Sequence, residues 1–324
     1  MSETPRVLVT GARGFVGRQC LEPLVEAGYE VHAVVGPNGT RCRPNVEGVS
    51  WHGSDLLDPV ATGRLVHELN ASHLLHLAWF ATHPGFWTGE ENLSWVGATL
   101  HMLREWWAAG GRRCVVVGTC AEYGPHELCH ERDTTMQPMA LYGACKHATH
   151  QCLAAAAPGL GVSYAWARLF FPYGPHDQTR RLIPYVIGQL LRGEPAECSP
   201  GTQVRDFLHV RDVGSALAAQ LSGEVTGPVN IASGRGVAIR KVVTEIGELM
   251  ERPDLLQIGA TPLRGDEPMK WVASVDRLRD EVGWQPSLSL RQGLEETIAW
   301  YRCELASSST YPLRPFQPEC ESSG

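Results

Sequence analysis

From Arg6 to about Phe171 the chain alternates short β-branched apolar runs with longer amphipathic stretches, and that alternation leaves few folds open. Strands are expected at residues 7–9, 30–35, 49–51, 73–77, 113–118 and 162–169, each apolar enough to be buried on both faces. Helices are expected between them at 15–27, 58–69, 91–109 and 141–157. Gly28 closes the first, Gly110 and Gly111 the third, and Pro158 with Gly159 the fourth. Strand followed by helix, repeated, predicts an α/β fold with a Rossmann-type doubly wound parallel sheet.

Beyond Pro172 the elements shorten, with helices expected near 182–191, 213–221, 239–250 and 290–301. Residues 1–175 are therefore assigned mainly to a dinucleotide-binding domain and 176–304 to a smaller substrate lobe, with a possible crossover back to the sheet. Residues 305–324, rich in Ser and Pro, are expected to be a disordered tail.

Charge and cysteine usage narrow the function classes. The 28 Lys and Arg against 35 Asp and Glu leave a net charge of −7, which gives no general pull toward a phosphate backbone, so nucleic acid is excluded as a main partner. Ten scattered cysteines without a CxxC pair point to reduced thiols. The start, MSETPRVLVTG, lacks the layout of a secretory signal, and no run approaches the roughly 18 apolar residues of a membrane span. A cytoplasmic protein with no membrane partner is expected.

The first strand runs into Gly11-Ala12-Arg13-Gly14-Phe15-Val16-Gly17. Glycines spaced this way between a strand and a helix allow positive φ and let backbone N–H groups approach a pyrophosphate at the helix start. Dinucleotide binding is expected of Gly11, Arg13, Gly14, Phe15, Val16 and Gly17. No acid stands at the end of the second strand to hold a ribose 2′-hydroxyl, whereas Arg13, Arg41 and Arg43 are available to a 2′-phosphate. NADP(H) is therefore favoured, with NAD(H) possible. Asp55 and Leu56, past the third strand, are placed for the adenine, and Leu77 and Ala78, ending the fourth, for the pyrophosphate and ribose.

Tyr142 and Lys146 stand four apart on one helical face, where a cation can lower a phenol toward the working range. Thr119 supplies a hydroxyl leaving the fifth strand at the ligand edge of the sheet. The loop Trp79 to Trp87, with His83 inside it, lies at the same edge and is expected to wall a substrate.

With these parts together, residues 6 to about 303 resemble the extended short-chain dehydrogenase/reductase family, in its NAD(P)-dependent nucleotide-sugar epimerase, dehydratase and reductase branch. Further motifs carry the likeness: Arg168-Leu-Phe-Phe-Pro-Tyr-Gly-Pro175, Arg205-Asp-Phe-Leu-His-Val-Arg-Asp-Val213, and Gly283-Trp-Gln-Pro286 before a helix. The resemblance implies Tyr142 as general acid and base, Lys146 as its electrostatic partner and ribose contact, and Thr119 as donor to the reacting oxygen. It implies that Arg205 and Arg264 hold a nucleoside diphosphate, that Asp266 lies near the nucleoside, and that the protein is a homodimer. Two departures stand out: Phe171 replaces a customary Asn, and Trp95 stands where the fourth-helix Asn is frequent.

The family's 4,6-dehydratases carry an Asp-Glu pair after the active-site Thr, where this chain has Cys120 and Ala121. Cys120 is assigned to substrate contact, dehydration is disfavoured, and Glu122 is expected to point elsewhere in an extended segment. The lean to NADP and the Gly-Thr-Cys-Ala-Glu-Tyr segment make reduction of a nucleoside-diphosphate 4-keto-6-deoxyhexose the first expectation. An NAD-dependent nucleotide-sugar epimerase is the alternative, and a non-catalytic NADP-binding regulator the alternative of a different class. His126 to His130 and the His147, His150 pair match no zinc template, so no metal is expected.

Overall fold

The computed structural model describes residues 4–36, 44–82, 85–263 and 268–307. The first half runs β1 (Arg6–Thr10), α1 (Gly17–Glu26), β2 (Glu30–Val35), β3 (Val49–Gly53), α2 (Pro59–Leu69), β4 (His73–His76), α3 (Glu91–Ala108), β5 (Arg113–Thr119), α4 (Leu141–Leu160) and β6 (Ser163–Leu169). The second supplies β7 (Phe171–Tyr173), α5 (Leu182–Arg192), β8 (Ala196–Cys198), β9 (Val204–His209), α6 (Val210–Ser222), β10 (Gly227–Ile231), β11 (Gly236–Ala238), α7 (Ile239–Leu249), β12 (Leu256–Ile258), β13 (Lys270–Trp271) and α8 (Leu290–Ser307).

Seven strands form one parallel sheet in the order β10-β6-β5-β4-β1-β2-β3. The order reverses between β1 and β4, which opens a crevice at the carboxyl ends of those strands. Both faces are covered, so the strands read as continuous apolar runs: every residue of β5 is buried. One face packs Leu21 and Leu24 of α1 and Leu217 of α6; the other packs Met102, Leu103 and Trp106 of α3. A third cluster, centred on Ile187, Ile246 and Leu294, is the core of the smaller lobe.

Local chemistry sets both ends of α2. Asp58 caps α2 by accepting from Val60 N at 2.9 Å, Pro59 follows at the first turn, and Asn70 closes the helix at φ 45. Pro158 and Gly159 do not close α4, which continues to Leu160 and ends at Gly161 with φ 64. Pro158 is exposed in the last turn, and the helix continues past it. The expected disordered tail lies outside the described residues beyond Ser307, and 305–307 belong to α8.

The second half does not all leave the sheet: β10 is its seventh strand, and α6 packs on α1. The approach is close at Gly214, where a Cβ would overlap the Gln19 carbonyl. Gly214→Ala is expected to cost about 1–3 kcal/mol by forcing the helices apart. A fall in urea midpoint at unchanged slope would show it, and an unchanged midpoint would show that the pair relaxes freely.

Candidate active site

Thr10, the last residue of β1, is fully buried and organises the turn at the crevice. Its hydroxyl oxygen accepts from Leu77 N and Ala78 N, both at 3.2 Å, and its proton goes to His76 Nδ1 at 2.8 Å. His76 then donates from Nε2 to Thr99 Oγ1 at 3.0 Å, which ties the ends of β1 and β4 to α3. Burial, and secondarily Lys146, pushes His76 down to about 3, so it stays neutral.

The glycine loop fits a dinucleotide. Gly11 has φ 66, and a Cβ there would lie 2.9 Å from Ala78 N; Gly14 N donates to Gly11 O at 2.9 Å. A Cβ on Gly17 would overlap the same Gly11 carbonyl, so three glycines let the turn fold flat at the start of α1. Phe15 and Val16 are half-buried in this turn, and Arg13 is exposed beside it. Leu56 is buried, and Asp55 accepts from Leu57 N at 3.0 Å in a local turn. Arg41, His83, Arg264 and Asp266 lie outside the described residues.

Thr119, Tyr142 and Lys146 converge at the same edge. Thr119 ends β5; its hydroxyl accepts from Ala121 N at 3.2 Å and lies close enough to the Tyr142 phenol to act on it. Lys146 is buried and donates to Val117 O at 2.8 Å. The phenol does not sit in a lowered range as the sequence suggests. Burial pushes Tyr142 up, while the nearby Thr119 hydroxyl and the Arg181 guanidinium pull it back. Arg181, paired with Asp177 at 3.6 Å, was not a sequence candidate, since nothing local marks it.

Glu122 does point away, but for a different reason from the extended segment expected. Residues Cys120–Glu122 form a 3-10 turn with a capping box between Thr119 and Glu122. The Glu122 carboxylate has no exposure and accepts from Thr119 N, Trp166 Nε1 and Arg168 Nε, each at 2.9 Å. Cys120 is buried and its thiol is pushed up by desolvation, so neither it nor Ala121 exchanges protons near neutral pH.

Of the loop expected to wall a substrate, Phe86 and Trp87 stand edge-on to Tyr142, with centroids 5.0 and 6.0 Å away. Phe171 and Trp271 flank Arg205, whose guanidinium lies 5.4 and 5.5 Å from their rings. Arg205 is buried, close enough for its charge to act on Cys120.

Among the described residues one group comes within reach of a single ion: Glu122, His147 and His150, with ligand atoms within 4.8 Å of one another. Its electronics are wrong for a cation. His150 Nδ1 lies 3.4 Å from an Arg168 nitrogen, which only donates, so the ring proton sits on Nε2 and blocks ligation there. The Glu122 oxygens are already engaged.

With the geometry in place, comparison with known proteins assigns the class. The model of the NAD dependent epimerase/dehydratase family matches residues 7–232, and the chain belongs to that family. It is 30% identical over 320 residues to a UDP-glucose 4-epimerase of Streptomyces lividans, covering 91% of this chain and 96% of that one. It is 27% identical over 304 residues to a CDP-abequose synthase of Salmonella typhimurium, covering 90% and 97%. Among solved structures, MoeE5 in complex with UDP-glucuronic acid and NAD superposes with a TM-score of 0.82 at 31% identity, covering 92% and 99%.

Glu122→Gln leaves the Arg168 charge buried without its counter-ion and is expected to cost about 3–5 kcal/mol. A chemical-denaturation difference below about 1 kcal/mol would show the pair to be dispensable. A second expectation concerns pH. Burial, with Arg168, pushes His150 down to about 3, against about 6.5 in the unfolded chain. The unfolded chain therefore binds a proton that the fold refuses: the His150 contribution is complete above about pH 6.5 and is lost as pH falls toward 3. Buried Asp177 and Asp206, raised to about 6, act in the opposite sense, so the comparison is made by variant. Between about pH 7 and 5, His150→Phe is expected to lose less of its urea midpoint than the parent. Equal losses would show that the ring is charged in the fold.

Proposed function

We propose that the chain is an NAD-dependent nucleoside-diphosphate-sugar 4-epimerase. The observation that carries this reading is the Thr119 hydroxyl close to the Tyr142 phenol, on the helix of buried Lys146, with no proton-exchanging group at the two positions after Thr119. Such a site suits oxidation and reduction at a sugar carbon and lacks the extra acid and base of an elimination. The epimerase relative and the NAD in the MoeE5 complex support the choice within that chemistry.

When bound, the nicotinamide supplies a centre that accepts and returns a hydride at one carbon. Thr119 holds the sugar hydroxyl, and Tyr142 takes its proton as the carbon is oxidised and returns it on reduction. Arg205, together with Arg264, neutralises the diphosphate. Phe86 and Trp87 keep water from Tyr142.

A second reading, NADPH-dependent reduction of a 4-keto-6-deoxy sugar, draws support from exposed Arg13, the absence of an acid at the end of β2, and the CDP-abequose synthase relative. The readings differ in nicotinamide stoichiometry. Incubated with UDP-glucose, UDP-galactose or UDP-glucuronic acid, the protein is expected to interconvert 4-epimers without net change in reduced nicotinamide. Boiling is expected to release NAD, and Tyr142→Phe to lose at least about 100-fold in turnover. Stoichiometric oxidation of added NADPH by a nucleoside-diphosphate 4-keto-6-deoxyhexose, with no epimerisation, would replace this reading with the second.

A further inference from the structure

The Lys146 ammonium has an aromatic neighbour outside the catalytic motifs. Nζ lies 3.8 Å from the centroid of a Trp79 ring, well within the ~6 Å reach of a cation–π contact. The indole is anchored: Nε1 donates to Asn92 Oδ1 at 2.8 Å. Asn92, fully buried, gives its own amide hydrogens to the carbonyls of Phe86 and Gly89, each at 2.8 Å. That turn is the one that sets Phe86 and Trp87 against Tyr142. Trp95, on α3, backs the indole at 6.3 Å between centroids. One buried amide thus couples the ring on the lysine to the wall on the tyrosine.

We propose that Trp79 is a positioning residue that acts through Lys146: held by Asn92, its ring face carries the lysine ammonium in a water-poor site and fixes it relative to Tyr142. This deepens the proposed oxidoreduction and rests on it only for the statement that Lys146 serves catalysis. Nζ donates to Val117 O at 2.8 Å, and beyond that carbonyl the charged and titratable groups near Lys146 give its charge little support. Glu122, from the turn after β5, attracts it but is shared with Arg168 of β6. His76 of β4 is neutral through burial, as is His150 on α4, and Tyr142 on the same helix keeps its proton. Burial pushes the ammonium down to about 7, so a modest change in its surroundings alters its charge at neutral pH.

The chain holds only three lysines, Lys146, Lys241 and Lys270, which makes the effect directly readable. In protein labelled with 13C-lysine, the εCH2 signals are titrated by NMR from about pH 5 to 10, with Lys146→Arg identifying the Lys146 signal. No nucleotide sugar is added, so the result stands whether or not the epimerase reading does. Trp79→Leu is expected to lower the Lys146 midpoint by about half a unit to one unit, a threefold to tenfold loss of proton affinity. Trp79→Phe, which restores a ring face, is expected to recover most of it, with Lys241 and Lys270 unmoved. Circular dichroism checks that each variant is folded; should Trp79→Leu fail to fold, Trp79→Met, apolar and ringless, takes its place. A midpoint equal to the parent's, a rise, or identical Phe and ringless variants would overturn the proposal, since a ring that only excluded water would raise the midpoint when removed.

Discussion

The site rests on one carboxylate that never meets water. Glu122 takes the Thr119 amide, the Trp166 indole and the Arg168 guanidinium, and so fixes the turn after β5 to β6. Arg168 passes the constraint on to the Tyr123 phenol at 3.1 Å, and Tyr123 to Asn230 of β10 at 2.7 Å. A buried charge pair is worth little as net stability, but its directional demands leave one arrangement for the strands that carry it. Thr119 is thereby held at the carboxyl edge by three neighbouring strands and cannot drift with its own loop.

The smaller lobe uses the same device. Asp206, fully buried, accepts from Ser233 N at 2.8 Å, Gly234 N at 3.0 Å and Ala273 N at 3.2 Å, closing the loop after β10 and the segment after β13 around β9. Asp212 accepts from Ser287 N and Leu288 N at 3.2 and 3.1 Å, and Trp284 donates to Ser215 Oγ at 2.9 Å. In the motif Arg205 to Val213, therefore, the acids hold the lobe to the sheet, while the arginine at its head lies between the Phe171 and Trp271 rings and acts on Cys120. Position within a motif does not divide structure from function; the direction of each side chain does.

The legible part of the sequence was the part with short-range cause. Buried strands announce themselves by apolar runs, and β2 spans the residues expected, while β1 is one residue longer at each end. Thr119, Tyr142 and Lys146 stand out because strand end and helix period place them. The Glu122 network did not, since its partners lie 44 and 46 residues away and only the parallel pairing of β5 with β6 brings them in. Arg181 was invisible for the same reason. α4 outran its expected end because Pro158 faces solvent, a fact of packing and not of local propensity.

Burial works against both halves of the proton-handling pair. A water-poor chamber strengthens every charge inside it but favours the neutral phenol and the neutral amine, which raises Tyr142 and lowers Lys146. Chemistry that moves a proton through Tyr142 needs the opposite bias at the moment of oxidation, a cation beneath a phenolate. Full hydration would supply it at the cost of the dry chamber, and a nearby free carboxylate would pull the proton from its route. Glu122 is tied to Arg168, and an aromatic face has no proton to exchange. A ring over the ammonium reconciles these demands, because its quadrupole supports positive charge without admitting water. The same amide that sets this ring also sets the rings on Tyr142, so dryness at the phenol and charge at the lysine arise from one piece of packing.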